Sequence, residues 1–205
     1  RLDRGNLLKR VASLYLKVLA VLNGLGGAAW AIVTLGLMLQ ALTSDYGGAW
    51  LKIGGFLGGV LGVAVIAAGT YGSVHIGWLR AASIMKMPDT DLKVLPVMAR
   101  LIKALGEIAA VSVLMGFLYL GASALMGSGI ASELMWYLDS GGAGFASFLV
   151  GLVSIPISAI AGVIVALLVL MMYYLVAEGI EAISNIARDS QKSAAMLEKM
   201  VDADS

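Results

Sequence analysis

Cysteine is absent from the chain. Disulfides, thiolate metal centres and cysteine nucleophiles are thereby excluded. Charge is scarce: Asp, Glu, Lys and Arg make up 13% of the 205 residues, where soluble domains carry about 25%. Histidine occurs once, as His75, and proline three times. A lone His with no Cys and no acidic neighbour cannot complete a metal site of the usual kind. No Ser stands at a catalytic spacing from that His. The glycines from Gly54 to Gly62 lack the Lys-Ser/Thr that closes a phosphate loop. The sequence therefore predicts no enzyme, no catalytic residue, no cofactor and no metal. The few Lys and Arg form no basic stripe beyond what a membrane surface explains, so no nucleic-acid partner is expected.

What the chain has in excess is apolar surface, 60% of its residues, with a mean hydropathy of +0.93. A soluble core cannot hide that much, and a lipid bilayer is the expected partner. Four stretches are long enough to cross a hydrocarbon layer of about 30 Å at about 1.5 Å of rise per residue. They run over 18–42, 53–73, 104–126 and 147–175, with Glu107 near the start of the third and Pro156 set to bend the fourth. The expected fold is all-α: a polytopic membrane protein of four transmembrane helices in two hairpins. Before span 1, Leu7, Leu8, Val11, Leu14 and Tyr15 alternate at helical spacing with Lys9, Arg10, Ser13 and Lys17, which reads as an amphipathic N-terminal helix at the membrane surface, or equally as the wet end of span 1. Residues 1–175 form the membrane domain. Residues 176–205 form a long C-terminal cytoplasmic helix.

Orientation follows from Lys and Arg. Thirteen of the fourteen precede span 1, separate spans 2 and 3, or follow span 4; only Lys52 falls on the other side. The bias places both termini in the cytoplasm of a cell inner membrane. The turns around Asp45 and Asp139 face outward, and Ile130–Leu138 reads as a short interfacial helix carrying Trp136 and Tyr137. The run from Val18 is too long, and lacks the cleavage site, for a cleavable signal peptide; Arg1 rather than Met opens the chain, which leaves room for residues upstream. At an offset of 94, Leu7–Val11 lies over Leu101–Leu105 and Asp45–Ala49 over Asp139–Ala143. This is the pattern of a duplicated hairpin with parallel repeats.

Small residues recur every fourth position in two ridges. Gly54, Gly58 and Gly62 mark span 2; Ser154, Ser158 and Gly162 mark span 4. In water that glycine load weakens a helix by up to about 1 kcal/mol each; in lipid it lets a second helix approach. After Tyr174 a 4-3 spacing begins: Val176, Ile180, Ile183, Ala187, Ser190, Ala194, Leu197 and Val201. It reads as a heptad seam for a coiled coil, or as the stripe by which the helix rests on its own protein. His75 and Glu107 are the candidate functional ionisable residues, as proton relay and intramembrane carboxylate. Against those roles stand an interfacial His and a surface-level pair of Glu107 with Lys103, one turn earlier. Glu178 and Glu181 read as solvated helix-end groups or a pore-mouth ring. Gly69–Gly72 reads as helix rather than a carbonyl filter. The central thirds of the spans carry no charge, which argues against a coupled transporter.

The segment YLVAEGIEAISNIARDSQKSAAMLEKM, Tyr174–Met200, resembles the C-terminal end of uncharacterised small bacterial membrane proteins. Those close on an apolar span followed by an acidic, Ile-rich cytoplasmic helix. The resemblance covers the tail alone, and implies a bacterial origin and no activity. Ridges and seam together point to a non-enzymatic membrane subunit that forms a homo-oligomer or joins a larger complex. The alternative is an oligomeric channel or passive transporter with a pore lined by spans 2 and 4.

Overall fold

The computed structural model describes residues 4–43, 48–87, 94–127 and 143–203. Four helices account for nearly all of them: α1, Arg4–Thr43; α2, Gly48–Met85; α3, Val94–Leu125; and α4, Ala143–Ala203. No strand occurs among the described residues. All four helices are long and apolar enough to span a membrane. Lipid dictates this build, because a helix satisfies its backbone N–H and C=O groups internally where no water can. The expected interfacial helix at Ile130–Leu138 and the turns around Asp45 and Asp139 lie outside the described residues.

The amphipathic start and span 1 form one helix of 40 residues, about 60 Å long, with no break between them. Its apolar residues Leu7, Val11 and Leu14 face outward, while Lys9, Ala12, Ser13, Leu16 and Ala20 are buried. The inward face is mostly small, so α2 can come close; the outward face is what lipid wets. Span 2 likewise lies inside a 38-residue helix, and Gly69–Gly72 is an ordinary part of it. Span 4 and the tail are a single helix of 61 residues, about 90 Å, which continues through Pro156.

Packing follows chain order. α1 lies on α2, α2 on α3 and α3 on α4, with lesser diagonal contacts of α1 to α3 and α2 to α4; α1 and α4 share no packed face. The result is an open strip of helices rather than a closed ring. Its buried core lies toward the end that carries the termini, where Ala12 and Leu16 of α1 meet Ala81 and Ile84 of α2 and Val97, Ala104 and Ile108 of α3.

The two hairpins do not repeat each other's register. Gly27 of α1 lies against Thr70 of α2. An ungapped offset of 94 equates these with 121 and 164, yet Gly121 meets Ile155 and Ser158, nine and six residues short of that position. The sequence coincidences between the halves are therefore not matched by equivalent helix contacts.

Candidate functional site

The ionisable groups of three helices converge at the termini-bearing end of the strip. Arg80 of α2 donates from Nε to Glu107 Oε2 of α3 at 2.7 Å, and its Nη2 ion-pairs with Oε1. Tyr174 of α4 donates its hydroxyl to the same Oε1 at 2.8 Å. One turn along α3, Lys103 Nζ binds Glu181 Oε1 of α4 at 3.0 Å and lies 5.6 Å from the centre of the Tyr174 ring. Helix geometry sets this up. Lys103 and Glu107 are four residues apart, and Tyr174 and Glu181 seven, so each pair shares one face of its helix. Two antiparallel helices then present four groups in register, and α2 adds Arg80 from the other side.

Glu107 is therefore not paired with Lys103, as the spacing alone predicts. The carboxylate is 17% exposed and faces the neighbouring helices. There the Arg80 fork satisfies both oxygens at once, which a single ammonium on the same helix cannot do. Lys103 is released to hold α4 through Glu181. A cleft of about 220 Å³ opens beside this junction, between Pro96 and Arg100 of α3 and Ser184 and Arg188 of α4. Two further contacts close the same end: Lys9 Nζ donates to the Met87 carbonyl at 2.7 Å, and Arg100 Nη1 to the Ser83 carbonyl at 3.2 Å. Lys9, which the helical wheel puts on the polar face toward headgroups, is buried between the first two helices instead.

A second polar node stands deeper in the strip. Thr34 of α1 is fully buried, back-bonds to the Trp30 carbonyl at 2.9 Å, and lies 3.2 Å from the Tyr119 hydroxyl of α3. Gly62 of α2 makes room for both side chains. The other ridge residues are likewise occupied within the chain. A Cβ on Gly58 would stand 2.6 Å from the Ala122 carbonyl oxygen, and Gly54 lies against the Leu125 carbonyl. Ser154 Oγ donates to the carbonyls of Gly151 at 2.7 Å and Gly121 at 3.3 Å. Ser158 lies against Gly121, and Gly162 against Phe117. His75 is exposed and stacked on Tyr71, ring centres 5.7 Å apart, away from the charged junction.

The tail seam divides. Val176, Ile183, Ser190, Ala194 and Leu197 are exposed, whereas Ile180 and Ala187 are half-buried; the Val201 side chain lies outside the described residues. The face of α4 turned toward the body runs through Tyr174, Ala177, Glu181, Ser184 and Arg188. The opposite face keeps its own 4-3 spacing: Val176, Gly179, Ile183, Ile186, Ser190, Ser193, Leu197 and Met200, all exposed. From Asp189 onward every described side chain up to Leu197 is exposed.

Arg80 and Tyr174 are the junction residues that motif reading misses. The available signal was depth. Arg80 closes the apolar run of span 2 and Glu107 interrupts the start of span 3, so the threading sets opposite charges at one level in adjacent helices. Chemically the junction is a clasp: its acids are matched by bases, and it presents no nucleophile with a general base. Among the described residues no three His, Cys, Asp or Glu side chains cluster to hold a metal. No family model, curated protein or solved structure matches the chain.

Proposed function

We propose that this chain is a non-enzymatic, four-span subunit of a cell inner membrane that assembles with copies of itself through the free face of α4. Both termini lie in the cytoplasm, on the strength of the Lys and Arg bias. The observation that carries the reading is the exposed 4-3 stripe from Val176 to Met200. In water such a stripe leaves Ile183, Ile186, Leu197 and Met200 unburied, at about 1.5–3 kcal/mol for each large side chain that a partner could cover. All copies in one membrane share an orientation, so their tails run parallel and can face each other in register. The Ser at positions 190 and 193 makes the seam a modest one.

Mass measurement in mild detergent tests this. The full chain is expected to run as an oligomer, and a chain lacking Arg188–Ser205 as a smaller species. A monomer at every concentration, in both forms, overturns the reading. Liposomes holding the assembled protein are expected to show no ion or solute flux. A conductance sensitive to Gly58→Leu would instead favour the channel.

A further inference from the structure

A recess of about 290 Å³ opens between α1, α2 and α3, in the half of the apolar stretches nearer the charged junction. Asn23 stands six residues beyond Lys17, and Ser73 seven residues before Arg80, so each is about 10 Å along its helix from the nearest charge. Gly26, Trp30 and Met115 supply apolar wall; Asn23, Thr70 and Ser73 supply an amide and two hydroxyls.

These three polar groups differ from the hydroxyls that bond within their own helix. Hydroxyls in lipid ordinarily bond back to a carbonyl of their own helix, and Thr34, Ser112 and Ser154 all do so. Ser73 and Thr70 do not, and among the described residues no hydrogen bond reaches the Asn23, Thr70 or Ser73 side chain. Ser73 is only 3% exposed, and since no fully buried side-chain N or O among the described residues lacks a partner, what exposure its hydroxyl keeps opens on the recess. An unpaired hydroxyl or amide in an apolar setting costs about 1–3 kcal/mol. The recess is where such a partner fits.

No charged side chain lines the recess. A phosphate or ammonium there would lack a counter-ion among mostly apolar walls, where an unpaired charge is costly. The space also falls at the lower edge of the roughly 300–1,000 Å³ usual for small-molecule sites. It takes a head group, with an attached tail left in lipid. Trp30 offers a flat face beside it.

We infer that this recess binds the uncharged, oxygen-bearing head of a lipid-soluble molecule, hydrogen-bonded by Ser73, Thr70 and Asn23 with its tail among the acyl chains. Two sources share that chemistry: an isoprenoid quinone, with ring carbonyls, and a diacylglycerol, with ester carbonyls and a hydroxyl.

Photolabelling of the full chain in phosphatidylcholine nanodiscs tests the site and separates the sources. One probe is a diazirine-bearing ubiquinone analogue, the other a diazirine-bearing diacylglycerol; the competitors are decylubiquinone and dioctanoylglycerol. The expected result is saturable, competable labelling by at least one probe, confined to the α1 and α2 turns around Asn23–Trp30 and Ile66–Ser73. The probe that saturates names the source. Gly26→Leu is expected to abolish it: a Cβ at Gly26 meets nothing within 4 Å, so the larger side chain fills the recess without moving α2. Ser73→Ala is expected to raise the half-saturating concentration about tenfold, the worth of one hydrogen bond. Both variants should melt with the parent chain. Labelling spread evenly along the apolar helices, or unchanged by Gly26→Leu, overturns the inference. So does disulfide capture of Gly26→Cys between copies in the membrane, which would mean that a second chain covers the recess.

Discussion

At the scale of single residues the molecule is inside out. Thr34, Ser73 and Ser184 are buried, while Leu25, Ile32, Tyr71 and Ile160 are among the most exposed side chains. Polar groups seek each other because the surrounding solvent offers them nothing, and apolar groups face a solvent as apolar as themselves. Glu107 is the sharpest case, since three helices meet on its two oxygens. Glu107→Gln is expected to lower stability by about 1.5–3 kcal/mol, the range for a hydrogen bond to a charged partner. Tyr174→Phe should cost about 1 kcal/mol, because it removes one donor and leaves the ion pair. Denaturant unfolding in detergent micelles measures both. A cycle with Arg80→Gln should show non-additivity above about 0.5 kcal/mol, as for groups in direct contact; additive losses would dissolve the clasp.

At the scale of the helix, faces matter more than composition. α2 presents Gly54 and Gly58 to the α3 backbone, so a side chain there must push the two helices apart. Gly58→Leu is expected to destabilise by about 1–3 kcal/mol, the usual range for overpacking. Gly36→Leu, at a position where a Cβ meets nothing within 4 Å, should be close to neutral; the same thermal melt in detergent compares them. In α4 the two faces divide the labour of holding the body and facing outward. The absence of cysteine makes single-Cys variants unambiguous. Ile186→Cys, on the free face, is expected to form disulfide-linked dimers in membranes under mild oxidation, whereas Ser184→Cys, which is buried against the body, is not. The reverse result would place the assembly surface elsewhere.

At the scale of the whole molecule the helices form an open strip, since α1 and α4 share no packed face. A strip buries little, and in lipid it has no need to. The charged clasp and the alanine-lined core sit together at one end, so that end holds the four helices while the other is joined by glycine contacts and by aromatic pairs such as Trp50 with Phe148, 5.4 Å apart. Threading is open to test at this scale. A tag at Ser205 and one in the turn at Asp139 are expected to be reached by impermeant reagents from opposite sides of the membrane. Labelling of both from one side would break the four-span arrangement and the parallel tails with it. The ungapped duplication fails at this scale, because residue matches at one offset do not fix how two helices slide against each other.

Span number, helical class and the likeness of each helix to a membrane crossing were legible in the sequence, because lipid solvates side chains locally and an uninterrupted apolar run carries that information by itself. Spacing also marked the glycines of span 2 as places where another helix comes close. Partner choice was decided only by the tertiary structure. Which helix Glu107 reaches, which face of α4 is left over, and where Ser73 lies unpaired all depend on helix rotation and register. Those are set by the fit of many side chains at once, and no short window of sequence contains them.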